Sequence, residues 1–400
     1  MYNIRKVTDD ITWIGASDRR LALFENIFPI SRGVSYNSYI LVDEQTVLFD
    51  TVDASVAGQF FENLEAVLEG RTLDYLIVNH MEPDHCAMIG DIVRRYPDVK
   101  IVGNTKTFGM MNQFFGTDFA ERSIVVKEGD TLSAGKHTLH FVMAPMVHWP
   151  EAMVTYDDVD KVLFSADGFG SFGALNGNIF ADEVDFDRDW LDDARRYYTN
   201  IVGKYGASVQ TLLKKAAGLD IAMICPLHGP VWRENLPYIL KKYQKWSTYE
   251  AEDQAVVIMY ASMYGNTASA ADALAGALAV RSVKKIAVYD VSNTHVSELI
   301  SEIFRVSHLV FAVPTYNAGI YPVMENLLSD MKALAVQKKT VAVMENGTWA
   351  PTAAKQVKEK LGEMKDMTIL DAGLTIKSAM HAGQKAELDA LADEIVKSMM

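Results

Sequence analysis

The chain has 400 residues, more than one hydrophobic core usually organises, so two domains are expected. Hydrophobic residues make up 49% of the sequence and charged residues make up 22%, as in an ordinary soluble globular protein. The net charge of −14 argues against nucleic acid or an anionic membrane as a main partner, and no apolar run approaches the length that spans a membrane. Cys86 and Cys225 are the only cysteines, too few for a disulfide framework. The sequence shows no N-terminal basic-plus-apolar signal pattern, so a cytoplasmic protein is predicted.

Residues 1–245 mix short strands with helices, which predicts a layered α/β sandwich. Two of the apolar runs flank Asp43-Glu44-Gln45, a hairpin pattern. The predicted strands are Val34–Val42, Thr46–Thr51, Tyr75–Val78, Ile101–Gly103, Ser123–Lys127, His137–Ala144, Ala152–Tyr156, Lys161–Ser165 and Ile221–Cys225. The predicted helices are Val56–Leu68, Met88–Tyr96, Trp190–Val202 and Ser208–Ala217.

Four candidate metal ligands lie within six residues directly after one of these strands. The hexapeptide His80-Met81-Glu82-Pro83-Asp84-His85 follows the apolar run Leu76-Ile77-Val78. A loop at a strand end can wrap its side chains around one point. Because the chain has only nine histidines, a chance match of this kind is scarce. The hexapeptide therefore predicts half of a metal site.

Three later side chains extend this site, because each also follows a predicted strand. They are His148, Asp167 and His228. Taken singly, each is best explained as a solvated residue or a turn cap. Together with the hexapeptide, however, one sheet edge could gather four histidines and three carboxylates, a full complement for two metal ions. The ordinary role is expected for the remaining histidines, His137, His140, His295, His308 and His381.

The segment Gly168–Gly173 matches the pattern G-x-G-x-x-G and follows a strand. Its continuation, Ala174–Asn178, carries turn residues and does not open a helix, so a dinucleotide site is not predicted here. A flexible loop beside the metal site is expected instead.

A polar stretch at residues 246–253 predicts a boundary at about residue 250, which gives domains 1–250 and 251–400. Beyond it, five strand-then-helix units predict an open, doubly wound parallel sheet. The predicted strands are Val256–Tyr260, Lys285–Tyr289, Leu309–Val313, Thr340–Met344 and Thr368–Asp371. The predicted helices are Thr267–Ala279, Val296–Phe304, Val323–Leu334, Ala353–Leu361 and Glu387–Lys397.

Three loops at the carboxyl ends of these strands predict a ligand site, since such ends converge in open α/β sheets. The first loop opens a helix and lacks the lysine of a triphosphate-binding loop, so it favours a terminal monophosphate held by backbone N–H groups. The other two loops combine an aromatic residue with Gly and Asn, which suits a flat ring. The candidate cofactor-binding residues are Ser262, Met263, Tyr264, Gly265, Asn266, Thr267, Pro314, Thr315, Tyr316, Asn317, Ala318, Gly319, Asn346, Gly347, Thr348 and Trp349.

The order H-x-E-x-D-H and then His, Asp and His resembles the metallo-β-lactamase-like superfamily. That superfamily more often has a second His where this chain has Glu82. The substitution, together with a flavodoxin-like second half, resembles the flavodiiron proteins (A-type flavoproteins) over essentially the whole chain. An added hard carboxylate also favours iron over zinc. The resemblance implies an N-terminal metallo-β-lactamase-like αβ/βα sandwich with two iron ions and a C-terminal flavodoxin-like domain with FMN.

The same resemblance implies an oxidoreductase that reduces dioxygen to water, nitric oxide to nitrous oxide, or both, with electrons relayed by FMN. It assigns the iron nearer the flavin to His80, Glu82 and His148, with Asp167 as the bridge. It assigns the other iron to Asp84, His85 and His228, although in some members the equivalent of His85 does not ligate. Trp149, beside a ligand, is expected to form a wall of the pocket.

Partners also follow from the resemblance. Family members place each FMN against the partner's irons in a head-to-tail homodimer, so a homodimer or a dimer of dimers is expected. The sequence has no paired C-x-x-C motif, so the electron donor is expected to be a separate rubredoxin, a deazaflavin coenzyme or a flavin reductase. Two alternatives stay open: a zinc hydrolase of the metallo-β-lactamase type and a non-catalytic flavodoxin-like electron carrier.

Overall fold

The structure, a computed structural model, describes residues 1–400 and divides into two units. The first comprises Met1–Tyr198 and Tyr205–Gln244, and the second comprises Thr199–Lys204 and Lys245–Met400. The domain boundary at residue 250 stays a prediction. No helix combines the length and the apolar character that crossing a bilayer requires.

The first unit contains short strands and eight helices, the last of which ends just beyond it. Its strands are β1 (Arg5–Lys6), β2 (Ile11–Trp13), β3 (Ala16–Asp18), β4 (Leu23–Phe24), β5 (Phe28–Pro29), β6 (Val34–Tyr36), β7 (Tyr39–Val42), β8 (Thr46–Phe49), β9 (Tyr75–Ile77), β10 (Lys100–Gly103), β11 (Ser123–Val125), β12 (Thr131–Ser133), β13 (Thr138–Met143), β14 (Met153–Asp157), β15 (Val162–Phe164) and β16 (Met223–Cys225). Its helices are α1 (Ala57–Leu68), α2 (Pro83–Cys86), α3 (Ile89–Arg95), α4 (Thr105–Phe115), α5 (Phe186–Asp189), α6 (Leu191–Tyr197), α7 (Gly206–Ala216) and α8 (Leu236–Ser247).

Two sheets of this unit share one hydrophobic core. One has the order β1-β2-β7-β8-β9-β10-β11 and the other the order β12-β13-β14-β15-β16. Apolar side chains from both sheets interdigitate, as in a sandwich. The Phe49 ring stacks on the Phe164 ring with centroids 3.7 Å apart. Other buried members of this core are Trp13, Tyr39, Leu41, Val47, Ile77, Val102, Leu139, Phe141, Met153, Val162 and Cys225.

The strand directions explain why polar side chains gather at one edge of this sandwich. Strands β8, β9 and β10 are mutually parallel, as are β15 and β16. Asp50 and His80 follow β8 and β9, while Asp167 and His228 follow β15 and β16. Because β14 runs antiparallel to β15, the β13–β14 loop brings His148 to the same edge.

The predicted strand Val34–Val42 is wrong at its centre. The chain forms β6, which pairs with β3, and then β7, which pairs with β2. Asn37 lies between them, and its buried amide donates to the carbonyls of Pro226 and Gly229 at 2.9 Å each. The break therefore anchors the loop that carries His228.

Four helices of the first unit, α2, α4, α5 and α8, have no counterpart among the predicted helices, and α4 and α8 are the two long ones. Helix α4 begins after Asn104, whose side chain accepts hydrogen bonds from the N–H groups of Lys106 and Thr107. Helix α8 runs into the stretch predicted as a polar linker, and Trp246 within it is fully buried. The single helix predicted over Trp190–Val202 is two segments in the structure. Helix α6 is followed by a π-helical turn at residues 198–202.

The expectation of a flexible loop at Gly168–Gly173 is also wrong, because the whole segment is buried. The Ser165 hydroxyl donates to the carbonyl of Gly168 at 2.7 Å, and the N–H of Phe169 donates to the Tyr243 hydroxyl at 2.5 Å. The segment is a packed connection beneath the predicted metal site.

The second unit is built around a parallel sheet with helices on both faces. Its strands are β17 (Asp253–Tyr260), β18 (Ile286–Asp290), β19 (Val306–Tyr316), β20 (Gly319–Ile320), β21 (Thr340–Asn346) and β22 (Thr368–Ile376). Its helices are α9 (Asn266–Val280), α10 (Val296–Arg305), α11 (Pro322–Ala333), α12 (Ala353–Gly362) and α13 (Lys385–Ser398). The sheet order β18-β17-β19-β21-β22 reverses direction beside β17, and this switch point is where doubly wound sheets bind ligands.

A buried histidine ties the two sheets of the first unit together at the end of β13 away from His148. The Nδ1 atom of His137 lies 2.9 Å from an Asp157 oxygen, and its Nε2 atom lies 3.1 Å from an Asp10 oxygen. Asp10 precedes β2 in one sheet, while Asp157 ends β14 in the other. Both ring nitrogens therefore face carboxylates, which favours the charged imidazolium.

We expect His137→Gln to lower the free energy of unfolding by about 3 kcal/mol at about pH 6, since it leaves the Asp157 carboxylate buried without its partner. Burial lowers the pKa of His137, but hydrogen bonds to Asp157 and Asp10 outweigh burial and raise it. The stabilisation is therefore complete below about pH 6.5 and is lost as pH rises through the raised pKa. Urea unfolding should show a smaller difference between the two proteins at about pH 9; a difference independent of pH contradicts this.

Candidate metal centre and cofactor pocket

Four predicted ligands form one compact cluster at the edge of the sandwich. The Nε2 atom of His80 lies 3.2 Å from a Glu82 oxygen and 3.3 Å from Oδ2 of Asp167. The Nε2 atom of His148 lies 3.0 Å from the same Glu82 oxygen and 3.1 Å from the same Asp167 oxygen. Two imidazoles and two carboxylates thus point at one position.

A second cluster lies beside the first. The Nε2 atoms of His85 and His228 face each other at 3.1 Å, and Oδ2 of Asp84 lies 3.4 and 3.2 Å from them. The Oδ1 atom of Asp167 lies 3.2 Å from His85 Nε2 and 3.7 Å from His228 Nε2. Helix α2 contributes to this arrangement, because Pro83 at its first position starts the turn that carries Asp84 and His85.

Asp167 joins the two clusters, since its Oδ2 atom faces one and its Oδ1 atom faces the other. Ligand atoms about 2.1 Å from one ion are about 3.0 Å apart at right angles and about 3.4 Å apart at tetrahedral angles. Most spacings within both clusters fall in this range. Each position also has two histidines and a carboxylate of its own, the donor set typical of non-haem iron sites with open coordination positions.

The buried polar atoms of the clusters indicate what they hold. Both oxygens of Asp84, Oδ1 of Asp167 and Nδ1 of His85 are buried and have no hydrogen-bond partner. Buried polar atoms are otherwise almost always paired. The ion pairs of the three carboxylates involve histidines alone, with no lysine or arginine. The residues therefore fit a pair of metal cations, which would supply the missing positive charge.

The negative charge of the carboxylates also raises the pKa values of the neighbouring histidines. Burial lowers the pKa of His148, but hydrogen bonds to Asp167 and Glu82 raise it to about 9. Burial also opposes a raised pKa at His80, and the charge of Asp167 outweighs it. Without metal, protons on the imidazoles thus offset the carboxylates. Metal binding must displace these protons, so affinity should fall as pH falls.

Outer residues that the sequence interpretation missed hold the ligands in place. The Nδ1 atom of His80 lies 2.9 Å from Oε1 of Glu151, and Nδ1 of His228 lies 2.7 Å from the carbonyl oxygen of Ser35. Asp50 accepts the N–H of His80 at 3.1 Å, which fixes the start of the hexapeptide. Only Glu151 had a sequence signal, a carboxylate three residues after a candidate ligand. Ser35 acts through its main chain, which no residue pattern reveals.

Aromatic side chains pack against the clusters. The Trp149 ring meets the His80 ring edge-on with centroids 5.4 Å apart, which matches its expected place as a wall. The Tyr197 ring lies 5.4 Å from the His228 ring, and its buried hydroxyl has no hydrogen-bond partner. Burial raises the pKa of Tyr197 well above its usual value. Its hydroxyl therefore stays protonated as a potential hydrogen-bond donor near the clusters.

The second unit has a separate cavity of about 460 Å³ at the carboxyl ends of its strands. This volume suits a small-molecule cofactor. Fourteen of the predicted cofactor-binding residues line it, and Gly265 and Gly319 do not. Two further residues, Ala350 and Ser378, also line it. Ser378 was missed because β22 was expected to end at Asp371, whereas it continues to Ile376 and delivers Ser378 to this edge.

The cavity fits a phosphate-bearing flat ring. The N-terminus of α9 opens onto it after Gly265, and no side chain caps that helix end, so its N–H groups are available to an anion. None of the lining residues is charged. Asn346 organises the cavity, because it donates to Thr267 at 3.3 Å and accepts the N–H of Ser378 at 3.1 Å. Tyr316 and the highly exposed Trp349 stand at its rim and offer stacking faces.

Family models match both units of the chain. The model described as ODP family beta lactamase matches residues 34–229, and the flavodoxin model matches residues 258–394. These matches confirm the predicted fold class of a metallo-β-lactamase-like sandwich followed by a flavodoxin-like sheet.

Relatives cover nearly the whole chain. An anaerobic nitric oxide reductase flavorubredoxin from Klebsiella pneumoniae is 31% identical over 391 residues, which cover 96% of this chain and 78% of that protein. The solved rubredoxin:oxygen oxidoreductase from Desulfovibrio gigas superposes with a TM-score of 0.91 at 28% identity, covering 99% of this chain and 98% of that one. A flavo di-iron protein variant from Thermotoga maritima has a TM-score of 0.90 at 26% identity, with the same coverage of 99% and 98%.

Asp167→Asn should weaken or empty both metal positions, because the amide nitrogen cannot replace an oxygen ligand and one negative charge is lost. Flavin binding should persist, since the flavin cavity lies in the other unit. Metal analysis and the flavin absorbance spectrum of the same preparation measure both effects. Unchanged metal content would show that Asp167 does not join the two positions.

Gly347→Ala should weaken flavin binding by roughly tenfold or more, since a Cβ atom there would lie 2.6 Å from Cα of Pro351 and displace the loop that carries Asn346. Gly276→Ala is the matched control, because nothing lies within 4 Å of its added Cβ atom. The control should bind flavin normally and be about 0.5 kcal/mol more stable. Fluorescence titration of the flavin-free proteins tests the pair, and equal affinities contradict the prediction.

Proposed function

We propose a function from the premise that the chain belongs to the flavodiiron protein family. It is an oxidoreductase that reduces dioxygen to water, nitric oxide to nitrous oxide, or both, at a non-haem di-iron centre. Its cofactors are FMN and two iron ions. One observation carries the proposal most directly. The two oxygens of Asp167 face two adjacent positions, each with two histidines and a carboxylate of its own.

We assign the ligands accordingly. His80, Glu82 and His148 hold one iron, while Asp84, His85 and His228 hold the other, and Asp167 bridges them. His85 is included because its Nε2 atom faces His228 Nε2 at 3.1 Å and Asp167 Oδ1 at 3.2 Å. Three carboxylates and neutral imidazoles offset most of the charge of two ferrous ions and leave positions free for a diatomic gas.

Iron supplies a redox-active site for the gas, and FMN supplies electrons one or two at a time. The protein's own residues prepare that chemistry. The rings of Trp149 and Tyr197 pack against the His80 and His228 rings, and they limit the access of water to the ligands. The Tyr197 hydroxyl holds its proton and can donate a hydrogen bond to a bound substrate oxygen. In the second unit, the loops around Asn346 and the N-terminus of α9 bind and orient the FMN ring and phosphate.

The alternatives are less consistent with these residues. A zinc hydrolase needs neither Glu82 among the ligands nor a second unit with a flavin-sized cavity. A non-catalytic electron carrier needs no set of seven converging ligand-type side chains.

We further propose an oligomeric state and a class of electron donor. Each FMN faces the irons of a second copy in a head-to-tail homodimer, alone or as a dimer of dimers, and an external donor reduces the FMN. Rubredoxin, a deazaflavin coenzyme and a flavin reductase are the candidate donors. Sedimentation tests the dimer, and a fully active monomer contradicts it. Cytoplasmic localisation stays a prediction.

The function is tested by reducing the FMN- and iron-loaded protein anaerobically and adding separate pulses of dioxygen and nitric oxide. Consumption of at least one gas, with reoxidation of the flavin in stopped-flow absorbance, is expected. Flavin cycling without gas consumption supports the carrier, and a zinc-containing, flavin-free protein supports the hydrolase. Either result overturns the proposal.

A further inference from the structure

The candidate ligand histidines differ in what their outward nitrogens contact. The Nδ1 atom of His80 faces a carboxylate oxygen of Glu151 at 2.9 Å, whereas Nδ1 of His228 faces a main-chain carbonyl at 2.7 Å. The Nδ1 atom of His85 is buried and has no partner. Glu151 thus gives one iron position a charged outer partner that the other position lacks.

Glu151 is held rigidly in this place. Its side chain is fully buried, and the oxygen that faces His80 also accepts the N–H of Met81 at 2.8 Å. Its main-chain carbonyl accepts the side-chain N–H of Asn104 at 2.6 Å, and Asn104 also caps α4. The carboxylate therefore cannot turn away from the His80 ring without disturbing the hexapeptide loop or the start of α4.

We propose that Glu151 is a positioning residue that locks His80 with Nε2 toward the metal and makes the ion held by His80, Glu82 and His148 the more electron-rich of the two. A carboxylate on the outer nitrogen of a ligating imidazole fixes its tautomer and raises its basicity as a ligand. The iron at this position is therefore bound more tightly and reduced less easily than it would be with a neutral outer partner. The inference rests on the proposed di-iron function and adds an inequivalence between the two ions.

The alternative explanation is that Glu151 only stabilises the fold through a buried carboxylate–imidazole pair. The same unit contains another such pair away from the metal clusters. Asp157 is also fully buried and also lies 2.9 Å from the Nδ1 atom of a buried histidine, His137. Asp157 therefore serves as a matched control for the loss of a buried carboxylate–imidazole pair.

The test compares Glu151→Gln with Asp157→Asn in the FMN- and iron-loaded protein. Glu151→Gln keeps an oxygen acceptor for His80 and Met81 but removes the charge. We expect it to lose iron to a chelator at roughly 10- to 100-fold lower chelator concentration than the unmodified protein. In a redox titration followed by Mössbauer or electron paramagnetic resonance spectroscopy, one iron should be reduced at a more positive potential. Asp157→Asn should lower the melting temperature and change neither property.

Glu151→Asp provides the conservative variant. It restores the charge, so it should recover part of the lost iron affinity and move the potential back toward that of the unmodified protein. Iron retention and potentials in Glu151→Gln equal to those of the unmodified protein would overturn the inference, as would equal changes in Asp157→Asn. An unmodified protein that binds no iron would instead overturn the proposed function, so the two failures are distinguishable.

Discussion

The N-terminal unit depends on the placement of three carboxylates in a nearly dry edge of a sandwich, where histidines are their only ionic partners. Glu82 and Asp84 are 13% and 12% exposed, and Asp167 is 1% exposed. Burying such charges costs several kcal/mol each unless cations accompany them. Two metal ions satisfy this requirement and account for the buried oxygens that lack partners. The arrangement of the surrounding loops follows from the need to hold these oxygens at fixed distances.

The fold meets that need by bringing strand ends from both sheets to one edge. The hexapeptide leaves β9, the Asp167 and His228 loops leave β15 and β16, and the shared core under them is closely packed. Buried polar side chains then fix the loops individually. Asn37 holds the His228 loop, and Asp50 holds the start of the hexapeptide. A ligand set drawn from distant parts of the chain is thereby positioned by rigid elements.

Local patterns in the sequence were sufficient for the ligand types and for most elements, because strand ends and loop residues carry their own signals. The hexapeptide, together with the strand-end placement of His148, Asp167 and His228, was enough to suggest that seven side chains converge, and the structure brings them together in two adjacent groups. Tertiary contacts decided what the sequence could not. The break at Asn37 depends on the His228 loop, helix α4 depends on its Asn104 cap, and Ser378 reaches the flavin cavity only because β22 extends to Ile376. The outer partners of the histidines were equally hidden, since Ser35 contributes a main-chain oxygen and Glu151 packs behind its ligand.

The central claim is that Asp167 joins two iron ions, each with its own pair of histidines. Anomalous diffraction at the iron absorption edge, measured on crystals of the iron-loaded protein, tests it most directly. Two peaks about 3.5 Å apart are predicted, one beside Glu82 and the other beside Asp84, with one oxygen of Asp167 at each. A single peak, or two peaks that Asp167 does not join, would contradict the claim.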